Sequence, residues 1–168
     1  MPVRIPKSDK CPYKGESFDV KVPTYVTSLL EFTNGFVANL TVSFDMHYPY
    51  WEADMPYIRI FGTEGSIDVP DVNMFKGPVV VRRSDGSREE VPLVSDLTEN
   101  CRGLGLADMA RALREGGKYR ANGEFGNHVA DVLITIRKSV DEERFFSISS
   151  ACERPEPITG EDLKKILR

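Results

Sequence analysis

Residues 25–45 carry the clearest alternation of apolar and polar side chains in the chain, and the dipeptide Asn34-Gly35 lies in its middle. Asn-Gly is well suited to a type I′ turn, which needs a positive φ at both central residues. In the second strand the apolar row comprises Phe36, Ala38, Leu40, Val42 and Phe44, and the opposite, mostly polar row comprises Val37, Asn39, Thr41, Ser43 and Asp45. A slip of one residue would exchange the two rows, so the pattern predicts a β-hairpin of well-specified register.

Further runs of strand-forming residues lie on both sides of this hairpin. They cover residues 18–22, 57–61, 66–69, 79–82, 88–91 and 144–149. Gly62-Thr63-Glu64-Gly65 and Asp85-Gly86 are predicted turns, because glycine adopts left-handed backbone conformations without steric cost. Short turns of this kind join strands that are largely antiparallel. Residues 1–14 are rich in proline and are predicted to form an irregular lead-in.

The apolar period changes to that of a helix after residue 100. The first helical stripe comprises Leu106, Met109, Ala110 and Leu113, and Gly116-Gly117 ends it. The second helix has Asn122 as its N-cap and Glu124 in its first turn, with a stripe of Phe125, Val129, Val132, Ile136 and Val140. Thr159 is expected to cap a short terminal helix. Strands followed by helices predict one α+β domain over residues 15–168, a large, mostly antiparallel open sheet with helices packed on one face.

Composition and charge narrow the class of protein without indicating its chemistry. The 168 residues are 40% hydrophobic and 29% charged, which is the balance of a globular domain. A net charge of −4 gives no electrostatic reason to expect nucleic acid or an anionic membrane as a partner. The N-terminal residues lack the apolar core of a signal peptide, and Cys11, Cys101 and Cys152 are too few and scattered for a disulfide framework. We therefore expect a soluble cytoplasmic protein with reduced thiols.

No local motif supplies catalysis by itself. Gly103-Leu104-Gly105 opens a helix, but it lacks the third glycine and the strand–helix–strand setting of the dinucleotide fingerprint. Close backbone packing is the favoured explanation for these glycines. The cysteines and histidines show neither metal-ligand spacing nor a nucleophile elbow. The sequence therefore predicts no metal site, no catalytic residue and no cofactor bound by this chain.

The two histidines are the best candidates for a binding role. His47 follows a strand in a segment that also holds Tyr48, Tyr50 and Trp51, and exposed aromatics beside a polar group suit stacking against a sugar ring. A small core under the loop is an equally good explanation of these aromatics. His128 lies on the stripe of the second helix, where a mostly buried histidine with one satisfied nitrogen is favoured over a ligand contact.

A basic run surrounds the first predicted helix. It comprises Arg102, Arg111, Arg114, Lys118 and Arg120, with Asp108 and Glu115 among them. A solvated helical face is the favoured interpretation, and a phosphate clamp is the alternative.

Four segments, taken in order, resemble the C-terminal domain of the Gfo/Idh/MocA oxidoreductases, the superfamily of glucose–fructose oxidoreductase and inositol dehydrogenase. These segments are Leu30-Glu31-Phe32-Thr33-Asn34-Gly35, Phe61-Gly62-Thr63-Glu64-Gly65-Ser66-Ile67, Arg102-Gly103-Leu104-Gly105-Leu106-Ala107-Asp108-Met109 and Cys152-Glu153-Arg154-Pro155. The resemblance runs from about residue 14 to residue 157. It implies an α+β fold like that of the C-terminal domain of dihydrodipicolinate reductase.

The resemblance also implies a function for the parent enzyme. In this superfamily an N-terminal Rossmann domain binds NAD or NADP, and the C-terminal domain shapes the pocket for a sugar or polyol and forms the oligomer contact. The family's catalytic Glu-Lys-Pro and Asp-x-x-x-His motifs do not occur here, and Glu124-x-x-x-His128 has the wrong acid in the wrong element. The pocket candidates are His47, Tyr48, Trp51, Arg102 and His128. The candidates for an oligomer-forming sheet face are Asn39, Thr41, Ser43 and Asp45.

Three hypotheses follow for the chain as it stands. The first is the C-terminal part of a dehydrogenase, lacking the Rossmann domain and inactive alone, because hydride transfer needs a seated cofactor and a base. The second is a free-standing binding or assembly module that forms a homodimer through its open sheet. The third, more remote, is an unrelated enzyme that uses His47 and its aromatic neighbours.

Overall fold

A computed structural model describes residues 3–4, 9–10, 12–44, 56–94, 97, 99 and 101–166 of the chain. The chain divides into two compact units, Met1–Trp51 and Glu52–Arg168. Each unit has its own antiparallel pairing, so the two are considered separately.

The first unit contains two antiparallel strand pairs. Strand β1 (Val3–Arg4) pairs with β2 (Phe18–Asp19), and β3 (Tyr25–Glu31) pairs with β4 (Val37–Ser43). The β3–β4 register places Thr27 opposite Thr41. This confirms the hairpin and the two predicted rows of β4, because side chains that face each other across a ladder share one face of the sheet. The predicted strand at 18–22 is reduced to two residues.

The turn of this hairpin differs from the type I′ geometry that the sequence predicts. Only Gly35 has a positive φ, of 84°, and Asn34 does not. Phe32 accepts a hydrogen bond from Gly35 N–H at 2.9 Å, and Phe36 N–H donates to Asn34 Oδ1 at 3.1 Å. These bonds define a longer loop, a type I turn followed by a bulge at glycine, because the Asn34 side chain stabilises the right-handed conformation of its own residue.

The second unit contains a four-stranded antiparallel sheet. Its strands lie in the order β5 (Ile58–Gly62), β6 (Gly65–Val69), β7 (Val79–Arg83) and β8 (Arg88–Val91). A short 3-10 helix, Val72–Met74, lies in the connection between β6 and β7. The boundaries agree closely with the predicted strands and turns.

The two faces of this sheet differ in chemistry. The cross-strand pairs place Arg59, Phe61, Ser66, Asp68, Val80, Arg82, Arg88 and Glu90 on one side, called here the arginine face. The other side, called the apolar face, carries Ile58, Ile60, Ile67, Val69, Val79, Val81 and Val91, with Arg83 and Glu89 near the β7–β8 turn. The period-2 alternation of each strand produces this division.

Three helices follow the sheet along the chain. They are α1 (Leu104–Glu115), α2 (Gly123–Glu142) and α3 (Gly160–Ile166). Asn122 caps α2 as predicted, since its Oδ1 accepts a hydrogen bond from Phe125 N–H at 2.8 Å. Thr159 and Asp162 form a reciprocal capping box at the start of α3, in which each side chain accepts a bond from the backbone N–H of the other. Helix α1 ends before Gly116, also as predicted.

The buried sides of α1 and α2 coincide only in part with the predicted apolar stripes. On α1, Asp108 and Ala112 are buried, whereas Leu106 and Leu113 are 71% and 78% exposed. On α2 no residue is fully buried. Its half-buried side retains Val132 and Ile136 of the predicted stripe but also carries the polar residues His128, Asp131 and Ser139. Polar contacts, described below, orient both helices.

Residues 144–149 are not the predicted last strand. They form no ladder with any other described segment. Hydrogen bonds to side chains of α2 take the place of strand pairing: Arg144 C=O accepts from Ser139 Oγ at 2.7 Å, and Ser150 N–H donates to Asp131 Oδ2 at 3.1 Å. Backbone polar groups satisfied in this way need no neighbouring strand.

The α+β class with antiparallel pairing is confirmed. The described strands form one sheet of four strands and two of two strands, so the large sheet of the prediction is divided. None of the helices in the described part of the chain has the length and apolar character needed to cross a membrane.

Candidate functional site

Several of the candidate residues fall outside the described part of the chain. These are His47, Tyr48 and Trp51 of the proposed pocket and Asp45 of the proposed oligomer face. Their assignment remains a prediction. The other candidates lie in the described segments.

His128 takes part in a polar cluster with two residues that the sequence analysis did not select. Its Nδ1 shares a hydrogen bond of 2.9 Å with Ser150 Oγ, and the Ser150 N–H donates to Asp131 Oδ2 at 3.1 Å. His128 and Asp131 are one helical turn apart on α2, so both face the extended segment that contains Ser150. The three side chains are half-buried. The sequence shows that His128 and Asp131 are spaced to share one side of a helix. It does not show that Ser150, which lies beyond a loop, returns to contact them.

The electrostatics of this cluster favour an ionised Asp131. The Ser150 hydroxyl and then the Ser150 backbone N–H lower the pKa of Asp131 by hydrogen bonding, and His128 lowers it further through its charge. A carboxylate, a hydroxyl and an imidazole held together offer both donors and acceptors to a ligand with hydroxyl groups.

Arg102 does not join His128. Its guanidinium lies 5.4 Å from the ring centre of Phe75 and hydrogen-bonds the Asn73 side chain. Arg102 therefore attaches the segment before α1 to the 3-10 helix after β6. Within the described part of the chain, the two pocket candidates belong to separate clusters.

Two members of the basic run are part of a buried ion cluster and do not form the expected solvated face. Asp108 is 2% exposed and accepts hydrogen bonds from Arg120 N–H at 3.0 Å, Arg120 Nη1 at 3.1 Å and Arg111 Nη2 at 3.1 Å. A buried carboxylate needs such partners because desolvation of a charge is costly. Only Arg102, Arg114 and Lys118 of the run are exposed.

Arg120 also fixes the C-terminal segment. Its guanidinium donates to the carbonyls of Glu156 and Pro157 at 2.8 and 3.2 Å and to Asp162 Oδ2 at 3.0 Å. Burial by itself raises the pKa of Asp108, but the hydrogen bonds and charges of Arg120 and Arg111 outweigh it, so this pKa lies below its usual range. Asp108 and Arg120 thus join α1, α3 and the loop before α2, which is a structural role.

The proposed oligomer face is present on the β3–β4 hairpin. Asn39 and Thr41 are exposed, and Thr41 Oγ1 shares a hydrogen bond of 3.0 Å with Thr27 Oγ1 across the two strands. Ser43 is half-buried on the same face. Exposed Tyr25, Leu29 and Val37 also lie on this face, which therefore mixes apolar and hydroxyl groups.

The two glycines at the start of α1 do not pack closely against other backbone in the described part of the chain. A Cβ built at Gly103 or Gly105 meets no described atom within 4 Å, so the close packing favoured for them is not observed there. All strand pairs of the described residues are antiparallel, which leaves no strand–helix–strand unit there to seat a pyrophosphate. No group of three or more potential metal-ligating side chains occurs among the described residues.

Comparison with known proteins supports the sequence resemblance. Residues 5–68 match the family model described as the GFO/IDH/MocA C-terminal domain. This range contains the β3–β4 hairpin and the Gly62–Gly65 turn, two of the four segments that carry the resemblance. No curated protein and no solved structure matches the chain. The match shows that residues 5–68, 64 of the 168 residues, are similar to the GFO/IDH/MocA C-terminal domain.

Proposed function

We propose that this chain supplies the substrate-binding and oligomer-forming part of an NAD(P)-dependent dehydrogenase that acts on a sugar or cyclitol. The family match is the observation that carries the proposal. The cofactor and the proton-accepting group are contributed by protein outside these 168 residues. Hydride transfer needs both at near-attack distance from the substrate, so the chain alone is inactive.

The Asp131–Ser150–His128 cluster is the best-supported contact for the substrate. Polyols are recognised by paired donors and acceptors that replace their hydrogen bonds to water. His128 Nδ1 and Ser150 Oγ supply such a pair, 2.9 Å apart. Asp131 Oδ2 fixes the position of Ser150 by accepting a hydrogen bond from the Ser150 N–H. Partial exposure of all three leaves the cluster open to a ligand.

Cofactor binding provides the test of this function. We expect NADH fluorescence to remain unchanged when micromolar NADH is titrated with the purified chain, and we expect no oxidation of inositol or glucose with NAD or NADP. The physical reason is that the described strands pair antiparallel, so they form no strand–helix–strand unit that could seat the pyrophosphate. Micromolar NADH binding by this chain, or turnover of a polyol, would contradict the proposal.

A second function, a self-assembling module, is favoured by the exposed apolar surface. Val80, Ala112 and Ile166 are the buried hydrophobic residues of the described part of the chain. Large apolar side chains lie exposed on the β3–β4 face and on α1 and α2, including Ile134 at 68%. Apolar surface on this scale marks an interface between proteins.

Sedimentation measurements would test assembly through the β3–β4 face. We expect the weight-average mass to rise with concentration, and Thr41→Arg to return the chain to a monomer because it places a charge within that face. Thr33→Arg is the matched control, since Thr33 is equally exposed but lies in the hairpin loop. A wild-type chain that remains monomeric at every concentration would rule out this function.

A further inference from the structure

The arginine face of the four-stranded sheet contains a buried carboxylate that holds two guanidinium groups. Asp68 is 6% exposed. Its Oδ1 accepts a hydrogen bond from Arg59 Nε at 2.6 Å, and its Oδ2 accepts one from Arg82 Nε at 2.8 Å. One carboxylate on β6 thus fixes an arginine from each neighbouring strand.

The hydrogen bonds of these arginines leave their outer nitrogen atoms available. In the described part of the chain, Arg59 and Arg82 each bond to Asp68 through Nε. The Arg59 side chain remains 43% exposed and the Arg82 side chain 48% exposed. The Nη groups of a guanidinium form the fork that matches the two oxygens of a carboxylate or phosphate. Asp68 therefore orients two such forks toward solvent.

The charge of this face is also unbalanced. Arg82 lies directly opposite Arg88 on β8, and like charges in a cross-strand pair repel each other. Among the described residues, the ion pair of Arg88 is a distant one with Glu90, at 3.9 Å. Three guanidinium groups face two carboxylates here, which leaves an excess positive charge on a protein whose net charge is −4.

An apolar group lies beside the arginines. Phe61 follows Arg59 by two residues on β5 and is 76% exposed on the same face. It is two strands away from Arg82 at the same level of the sheet, with the small Ser66 between them. The neighbourhood combines oriented cations with a flat apolar surface.

We propose that Arg59 and Arg82, aligned by Asp68, bind an oxyanion, the carboxylate or phosphate group of a small ligand whose carbon skeleton contacts Phe61. The inference is independent of the proposed dehydrogenase function. It assigns a binding role to residues on a part of the sheet that the His128 cluster does not use.

Titration with inorganic phosphate and, separately, malonate tests this site on the full chain. We expect one or both anions to shift the Nε–H NMR signals of Arg59 and Arg82, at constant ionic strength set with chloride. The anion that binds more tightly identifies the ligand group as phosphate or carboxylate. Absence of saturable shifts with either anion would overturn the proposal.

Variants separate an oriented site from general attraction of anions. Arg82→Gln is expected to weaken binding about tenfold, the loss of a charge-assisted hydrogen bond. Arg83→Gln is the matched control, because Arg83 is the next residue of β7 but lies on the apolar face, paired with Glu89 at 3.3 Å. Equal weakening by both variants would show nonspecific attraction and overturn the proposal.

Replacement of the aligning carboxylate is the sharpest test. Asp68→Asn removes a negative charge, so attraction by net charge alone would tighten anion binding. We expect weaker binding instead, because the two guanidinium groups lose their common anchor. Binding that is tighter than in the wild type would contradict the alignment by Asp68. Should this variant not fold, Arg59→Gln and Arg82→Gln decide the result.

Discussion

Asp108→Ala is expected to lower the free energy of unfolding by about 3 kcal/mol, the effect of removing one partner from a buried ion cluster. Asp108 is almost fully buried and accepts three hydrogen bonds, whereas Arg111 and Arg120 keep about a fifth of their side chains exposed. In the variant, water can partly hydrate these arginines. The loss of unfolding free energy is therefore expected near the lower end of the range for broken buried ion pairs. Urea denaturation followed by circular dichroism would measure it.

Asp141→Ala is the control for this measurement. Asp141 also pairs with an arginine of its own helix, Arg137, at 2.9 Å, but both side chains are more than half exposed. Exposed pairs of this spacing contribute about 0.3–0.5 kcal/mol. A loss for Asp108→Ala no larger than that for Asp141→Ala would show that the buried cluster does not stabilise the fold.

The pH dependence of stability gives a second readout of the same cluster. The pKa of Asp108 lies below its usual value of about 3.9, so its stabilising contribution is complete above that value. The contribution disappears as the pH falls through the lowered pKa of the folded state. The unfolding free energies of wild type and Asp108→Asn should therefore converge as the pH is lowered below about 4.

Gly65→Ala is expected to destabilise the fold by about 3 kcal/mol or more, through steric conflict in the four-stranded sheet. A Cβ at Gly65 would lie 2.0 Å from the carbonyl oxygen of Arg82, and the φ of Gly65 is 156°. Because the obstructing atom is backbone, β6 and β7 would have to separate at this end. Thermal or urea unfolding would measure the loss.

Gly62→Ala provides the comparison within the same turn. Gly62 pairs with Gly65 across the β5–β6 ladder, yet a Cβ there has only an ordinary contact of 3.7 Å with Gly65 C=O. We expect its effect to stay within about 1 kcal/mol. Similar losses for both variants would mean that the close approach of Gly65 to β7 is not what limits stability.

The strands were predictable because their signals are local. Alternation and turn residues define β5 to β8 within about one residue. The pairing of Arg59 with Asp68 also follows from the sequence, since each lies three residues from the Gly62–Gly65 pair that begins the ladder. The turn type at Asn34 was missed because an Asn side chain can stabilise a right-handed conformation as well as tolerate a left-handed one.

Apolar periodicity predicted the buried sides of the helices only in part. Leu106 and Leu113 mark a clear stripe, but Asp108 is the residue that packs inward, because Arg111 and Arg120 satisfy its charge. Arg120 lies in a loop, 12 residues after Asp108, and no local pattern relates the two. In the same way, the Ser150 partner of His128 lies 22 residues away along the chain.

The attachment of the C-terminal segment through Arg120 has a consequence for local stability. Four acceptors from residues 108 to 162 meet one guanidinium, so loss of that side chain would weaken the attachment of α3 while leaving the distant β5–β8 hydrogen bonds in place. Native-state opening of this kind exposes backbone amides in a contiguous group without global unfolding. The amides of α3 are thus expected to exchange with deuterium as a unit, at a rate set by the detachment of Arg120.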